Sequence, residues 1–359
     1  MVLKAAVISL GSKSSKMVIK AMQKYFKVVD SLNIKDIEVN LTSKGTGILH
    51  KGLPLEDYDC IYAKGSFRYA PLLRAITLVA SDKAYMPIHP DAFTIGHDKI
   101  LTHLRLQTHG IPMPHTYLSA TSESTKKVLE KINYPVIMKF PSGTQGKGVM
   151  FAESFAAASS MLDALTALRQ PFLIQEYVET GGTDIRAIVV GDKVVASMQR
   201  VAELGEKRAN IHAGGTGRPY KMDAYMQKIA VNTAQALGAD ICAIDILEGL
   251  KGPLVIEANI SPGLQGITEA TKTDVAAKFA RFLYQKAREF VNKKKKSQGA
   301  EIMREITPVG AKKEIITNLD FRGEKILLPE IISKEAGFSE KDEVIMSVKQ
   351  GKLVIEKIK

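Results

Sequence analysis

The sequence predicts an α+β protein, and three stretches carry that expectation. Residues 1 to about 90 alternate strand-like and helix-like runs, as in a small α/β layer. From Pro135 onward, an apolar run, a glycine-rich loop, a helix and further β runs joined by tight turns read as antiparallel sheet rather than a doubly wound one. Asp240 to Gly266, DICAIDILEGLKGPLVIEANISPGLQG, is two apolar runs around a Gly/Pro turn, a β-hairpin that the rest of the chain is arranged to serve.

In chain order, Ala5 to Leu10 reads as a strand and Lys13 to Tyr25 as a helix, with Met17, Ala21 and Met22 at helical spacing. Lys27 to Ser31 and Asp59 to Ala63 read as further strands. Gly11 stands without the partners of a dinucleotide fingerprint. His97-Asp98-Lys99 opens a helix that Gly110-Ile111-Pro112 stops. Pro135 to Phe140 is a strand ending in Lys139; Ala156 to Ala167 is helical. Phe172 to Val178, Asp184 to Val190 and Val194 to Met198 are strands, the last two joined by Gly191-Asp192. Asp223 to Leu237 and Thr268 to Val291 have helical periodicity. KKKKSQG then breaks the pattern as a linker would, and Ile306 to Lys359 is a short-stranded tail. Its strands are expected at Glu314 to Leu319, Lys325 to Leu328, Glu343 to Val348 and Lys352 to Ile355, with a helix at Pro329 to Ala336.

The chain of 359 residues is long enough for two or three domains. No apolar run reaches membrane-spanning length, and the apolar run at the N-terminus is too short for a signal-peptide core. Cys60 and Cys242 lie in apolar surroundings without metal-ligand spacing, as reduced core residues of a cytoplasmic protein would. The net charge of +12 suits an anionic substrate such as a nucleotide or polycarboxylate, or nucleic acid.

Chemistry concentrates in four places. A five-residue loop, Gly249 to Pro253, sets Asp245 opposite Glu257, and strand periodicity puts Asn259 on the face of Glu257. Two carboxylates and an amide oxygen then converge with no basic residue between them, a set that repels itself unless a cation fills it. Hard oxygen donors suit Mg²⁺; the alternative is a pair of unrelated surface acids. The Ser142–Gly148 loop, with Gly143, Gly146 and Gly148, lets backbone amides approach a polyphosphate, and Lys147 adds charge; a surface turn has the same composition. Lys139, at the end of an apolar strand before that loop, is placed either to reach an α- or β-phosphate or to snorkel to solvent. Gln175-Glu176-Tyr177-Val178 ends a strand as a hinge whose backbone suits an adenine edge, and Asp184 follows where ribose hydroxyls would lie.

The order lysine, glycine loop, QEYV hinge, acid and Asp/Glu/Asn hairpin resembles the ATP-grasp fold, and more closely the RimK-like α-L-glutamate ligases. The matching text is Asp98-Lys99, MKFPSGTQGKGV from Met138, QEYV from Gln175, DIRAIVVGDKVVAS from Asp184, RANIHAGG from Arg208, AIDIL from Ala243 and IEANISPGLQGI from Ile256. The resemblance covers residues 1 to about 290. It implies an N-terminal pre-ATP-grasp domain (1–95) and an ATP-grasp catalytic domain (96–290). It further implies that Lys99 and Lys139 contact ATP phosphates, that the glycine loop closes over them, and that Glu176 and Val178 hold adenine through the backbone. Asp184 would hold ribose. Asp245, Glu257 and Asn259 would bind two Mg²⁺ ions, with Mn²⁺ an alternative, bridging the β- and γ-phosphates. Arg208 and Asn210 would lie at the reacting end, with Arg186 and Arg200 as further candidates. The implied reaction joins L-glutamate to an acceptor through an acyl phosphate, releasing ADP. Where several RimK-like ligases carry two adjacent arginines, this chain has Arg200 followed by Val201, so acceptor choice does not carry over. A protein C-terminus, a growing glutamate chain and a pterin- or deazaflavin-type cofactor all remain open.

Beyond a lysine-rich linker (291–305), the tail (306–359) resembles a swapped-hairpin AbrB/SpoVT-type module through RGEKILLP and FSEKDEVIMSV. That family forms intertwined homodimers and often binds DNA. With ten Lys/Arg and nine Asp/Glu from Ile306 onward, this tail has a weak electrostatic footprint for DNA. The expected role is dimerisation, the rival a DNA-binding regulator whose ATP-grasp part senses nucleotide.

Overall fold

The computed structural model describes residues 2–119, 121–141, 148–167, 169, 171–202, 216–306, 318 and 320–358, without the side chains of 297–306. The chain divides into two compact units, Met1–Lys295 and Lys296–Lys359.

The first unit opens with β1 (Lys4–Ser9), α1 (Lys13–Met22), β2 (Val28–Asn33), β3 (Ile37–Thr42), β4 (Gly45–His50), β5 (Leu53–Pro54), β6 (Cys60–Ala63) and α2 (Ala70–Ala80). β1 pairs in parallel with β2 on one side and β6 on the other. Ala5, Ala6, Val7 and Ile8 are fully buried, as a central strand covered on both faces requires. Ser12 caps α1 by accepting from the Ser15 amide. β3, β4 and β5 form a separate small antiparallel sheet.

α3 (Pro90–Ile95) and α4 (Lys99–Thr108) lead into β7 (Thr116–Tyr117), α5 (Ser122–Leu129), β8 (Val136–Lys139), β9 (Val149–Ala152), α6 (Phe155–Ala167) and β10 (Leu173–Glu176). Asp98 caps α4, its Oδ1 accepting from the amides of Ile100 at 2.8 Å and Leu101 at 2.9 Å. The four strands order β7-β10-β8-β9, all antiparallel. Leu129, Val136, Met138, Leu162, Leu165 and Ile174 form a core of their own under this sheet, apart from the main one. Gly148 begins the return strand with φ +76°, and a side chain there would collide with the Phe140 ring, so the loop re-enters the sheet only through glycine.

The main sheet orders β13-β12-β11-β14-β15 and is antiparallel throughout, from β11 (Thr183–Val190), β12 (Lys193–Val201), β13 (Thr216–Pro219), β14 (Ile241–Gly249) and β15 (Gly252–Asn259). α7 (Ala224–Leu237) precedes β14 and contacts it. Its Met226, Ile229, Ala230, Thr233, Ala234 and Leu237 are buried at the 3–4 residue spacing of one face. Asp223 caps its start and left-handed Gly238 ends it. The helix expected from Thr268 to Val291 is two, α8 (Gln265–Thr271) and α9 (Val275–Ile306). Lys272 adopts φ 55° and Asp274 caps the new start by accepting from the Ala277 amide, a break made without Gly or Pro. The lysine run read as a linker lies inside α9.

In the second unit, β16 (Asp320–Arg322) pairs with β17 (Lys325–Leu327), and β18 (Val344–Lys349) pairs with β19 (Lys352–Lys357), with α10 (Glu330–Ala336) between the hairpins. The expected strand at Glu314 to Leu319 falls outside the described residues, save Asn318. The two hairpins share no sheet, and no described residue from Asn318 to Ile358 is buried.

Candidate active site

The Asp/Glu/Asn hairpin is β14–β15, and Asp245 faces Glu257 while Ala243 faces Asn259. This register is reached differently from the expectation. The turn is the two residues Leu250 and Lys251 between paired Gly249 and Gly252, not a five-residue loop. A tight turn alone would set Asp245 against Ile256. A bulge between Asp245 and Ile246 shifts the pairing by one residue, so Asp245 meets Glu257. It also lets Val255 and Ala258 both be buried although three residues apart.

The expectation that no basic residue stands among the acids is overturned. Arg186 on β11 is the cross-strand partner of Asp245 and grips its carboxylate with both arms, Nε to Oδ1 at 2.8 Å and Nη2 to Oδ2 at 2.7 Å. Arg200 on β12 sits opposite Asp184 and grips it at 2.5 and 2.6 Å, while its Nη2 also reaches Asp245 Oδ2 at 3.0 Å. Across neighbouring strands the charges run Arg200, Asp184 with Arg186, then the two acids Asp245 and Glu257 side by side. Sequence spacing missed this because the pairing partners lie 59 and 16 residues away. Burial raises the Asp245 carboxyl, but the two guanidiniums more than offset it and bring it down to about 2. Asp184 is pushed up to about 6 by burial, which Arg200 opposes and the Asp245 charge reinforces.

Lys139 ends β8 with a nearly buried side chain, not a snorkelling one. Its Nζ donates to Gln175 Oε1 at 2.8 Å; the Gln175 amide in turn donates to Thr116 Oγ1 at 2.8 Å and lies 3.4 Å from His103 Nε2. Burial pulls Lys139 down to about 8; Glu257 pushes it back up and Lys99 pulls it further down. That coupling places Lys139, Lys99 and Glu257 within one electrostatic neighbourhood, although they come from α4, β8 and β15. Burial, Lys139 and Lys99 together bring His103 down to about 4, so its imidazole is neutral at pH 7. His103 and Thr116 were not marked by the sequence, since lone polar residues in amphipathic stretches carry no signal.

At the hinge, the Glu176 amide donates to His115 O at 2.9 Å and the Tyr177 amide to Pro135 O at 3.3 Å. These bonds tie the hinge to the chain segments before β7 and β8. Phe151 and Tyr177 stack edge to face at 5.0 Å. A side chain on Gly249 would strike Val178, so the hinge and the tip of the acidic hairpin lie against each other. Gly143, Gly146, Lys147, Arg208 and Asn210 lie outside the described residues. Burial pushes the Cys60 and Cys242 thiols far up, which leaves neither as a nucleophile.

The donor set fits a divalent cation. Asp245, Glu257 and Asn259 supply hard oxygens along one strand pair, and Glu257 and Asn259 line a cavity of about 400 Å³ that also takes in Lys99. Asn259 Oδ1 accepts from the Ser261 amide at 2.9 Å, which fixes its side chain and leaves a second lone pair.

Residues 96–283 match the RimK-like ATP-grasp domain. A probable alpha-L-glutamate ligase of Thioalkalivibrio sulfidiphilus is 35% identical over 295 residues, covering 80% of this chain and 97% of that protein. One from Serratia proteamaculans is 35% identical over 282 residues, covering 77% of this chain and 93% of its own. Among solved structures, the ATP-grasp ligase PsnB, complexed with a phosphomimetic variant of its minimal precursor, Mg and ADP, shares the fold. Its TM-score is 0.62 at 17% identity, over 80% of this chain and 99% of that one. The RimK domain protein ATP-grasp from Sphaerobacter thermophilus has a TM-score of 0.60 at 19% identity, over 78% and 98%. The two antiparallel sheets, the buried lysine on one and the acidic hairpin on the other are thus an ATP-grasp arrangement, and the chain belongs to the RimK-like ATP-grasp family as an ATP-dependent carboxylate–amine ligase.

Proposed function

We propose that the enzyme adds L-glutamate to an acceptor by way of an acyl phosphate, with ATP and two Mg²⁺ ions held between the four-stranded and five-stranded sheets. The observation that carries this reading is the Asp245–Glu257 register pair, made by a bulge, beside a buried lysine that is electrostatically coupled to Glu257. Asp245, Glu257 and Asn259 would hold the metal. When bound, the ions neutralise charge that builds on the transferring phosphoryl group. Lys139 and Lys99 attract the phosphates, and the Ser142–Gly148 loop covers them. The Glu176 carbonyl and Val178 amide meet the adenine edge. Asp184 keeps lone pairs for ribose hydroxyls beyond those that Arg200 occupies. Arg186 and Arg200, with Arg208 and Asn210, stand at the reacting end.

A carboxylate is a poor electrophile with a poor leaving group. Its phosphorylation gives an anhydride that an amine displaces, releasing phosphate. The protein's task is to align the three reactants and exclude water from the anhydride. That the relatives are named alpha-L-glutamate ligases favours glutamate as the amino acid; protein C-terminus, oligoglutamate and small cofactor are the acceptors to be compared. With ATP, Mg²⁺ and the reacting carboxylate, added hydroxylamine should yield a hydroxamate together with ADP. AMP and pyrophosphate would instead mean an adenylate and contradict the reading.

Lys139 gives a pH signature. In the free enzyme it is mostly charged at pH 7 and neutral well above about 8. The KM for ATP should therefore be flat below pH 8 and rise above it. Lys139→Met should raise that KM about 10- to 100-fold, the worth of one charge-assisted hydrogen bond, and abolish the rise. The effect on stability has the opposite sign. Because the folded-state value lies below the ordinary 10.5, the unfolded chain binds more protons between about 8 and 10.5, and this residue's destabilisation of the fold is relieved across that window as pH rises.

The tail supports a further part of the proposal. Phe321, Met346 and Val348 are 62, 63 and 79% exposed on strands that bury nothing. Two-stranded hairpins are marginal alone, so a second copy of the module supplying the missing sheet and core is the reading we adopt.

A further inference from the structure

The cavity that takes in Glu257 and Asn259 runs to Lys64, a residue that nothing in the ATP site uses. Lys64 follows β6 and is 5% exposed. Its Nζ donates to the Pro262 carbonyl at 3.1 Å and lies 5.7 Å from the centre of the Tyr62 ring. Among the described residues no carboxylate pairs with it. Burial alone moves its pKa, down to about 8, with no neighbouring charge contributing. An ammonium held this way is costly, and one carbonyl and one ring face do not replace its water. The other buried cations of the site differ: Arg200 has two carboxylates, and Lys139 has Glu257 nearby.

The surroundings hold Lys64 in place without neutralising it. Ser14 Oγ accepts from the Leu264 amide at 2.8 Å and donates to Gln265 Oε1 at 3.1 Å. The Gly65 amide donates to Ser261 Oγ at 3.1 Å. These bonds tie the segment after β15 to α1 and β6, so Lys64 is held on the wall of the cavity that Glu257 and Asn259 also line. His97 adds a buried Nε2 without a partner, and burial brings its imidazole down to about 4, which leaves it neutral. The cavity thus has an oxygen-donor edge at Glu257 and Asn259 for metal-bound phosphate, and an unpaired ammonium elsewhere on its wall.

We propose that Lys64 is the specificity-determining residue that recognises a carboxylate of the acidic amino-acid substrate, in the cavity between the β6–α1 side and the Ser261–Gln265 segment. The proposal rests on the ligase reading for the presence of such a substrate. The substrate carboxylate completes the charge pair that the fold leaves open. An uncharged analogue such as glutamine would leave the ammonium unpaired and bind less well. Lys64 and Lys139 each stand at the end of an apolar run.

The test uses the full chain as wild type, Lys64→Met and Lys64→Arg. Calorimetric binding of L-glutamate and L-glutamine is measured without ATP, and ADP release is measured with each amino acid. Lys64→Met should weaken glutamate binding about 10- to 100-fold, reduce the preference over glutamine by the same factor and leave the KM for ATP unchanged. Its melting temperature should not fall, because an unpaired buried charge has been removed; a merely structural lysine would show the reverse. Lys64→Arg should retain part of the preference. Unchanged glutamate affinity in Lys64→Met, a wild type that binds glutamate and glutamine equally, or a loss of binding that only follows a lower melting temperature in both variants would overturn the proposal. Lys64-dependent glutamate binding with no ADP release when glutamate is offered together with each of the three acceptor classes would leave it standing and instead defeat the ligase reading.

Discussion

Glu257→Gln should lower the rate of ADP release at ordinary Mg²⁺ by at least about a hundredfold, while melting within a degree or two of the wild type. Glu257 is half-buried at the cavity edge, and no described ion pair joins it, so losing its charge disturbs little of the fold. Asp245→Asn should behave differently. It removes the carboxylate that Arg186 grips and that Arg200 touches, leaving the poorly solvated Arg186 guanidinium without its partner while Arg200 keeps Asp184. Breaking such a buried pair costs about 3–5 kcal/mol, so this variant should lose both activity and stability. Activity measured with thermal melting for the two variants separates the effects. An active Glu257→Gln enzyme would remove the metal assignment. An Asp245→Asn protein with undiminished melting temperature would show that Arg186 finds another partner.

A chain ending at Lys295 should keep ADP release on small substrates but lose one contact between copies, seen as a smaller assembly by light scattering. The tail from Lys296 should be dimeric and should bind a mixed-sequence DNA duplex only at low salt. The reasoning is one of core size. Some sixty residues bury too little apolar surface unless a second chain contributes. Every described tail strand is largely exposed, with Ile345 and Met346, on opposite faces of β18, at 54 and 63%. A monomeric, folded tail would defeat the dimer reading. Tight sequence-selective DNA binding at physiological salt would favour the regulator reading instead.

Much of this molecule is legible from local pattern. The caps at Asp98 and Asp223, the stop at Gly238, the strand ending in Lys139 and the hinge at Gln175 each depend on residues within one turn or strand of one another. The hairpin shows where such reasoning falls short. The pairing of Asp245 with Glu257 was expected, but by a longer loop, because a bulge has no composition of its own and Ile256 looks like any strand residue. The arginine pairing was out of reach for another reason. β11 and β14 are not joined by a hairpin turn, so no local signal tells which residue of one stands beside which of the other. Lys64 carried no expectation from the sequence, and only burial shows that its charge is unpaired. The break at Lys272 was missed since a left-handed lysine between two good helices is a tertiary outcome.

The arginine grip on Asp245 also says something about the protein at rest. Clustered acids that must await a metal are usually a folding liability, and many proteins built on them unravel when stripped of ions. Here the sheet supplies counter-charges for Asp184 and Asp245, so Glu257 alone of these acids is left without a described ion pair. If Asp245 holds the metal as proposed, an ion reaching it would have to share the carboxylate with Arg186 and Arg200. Binding of the ion should then be coupled to binding of the polyphosphate, whose anionic oxygens offer those arginines a second partner.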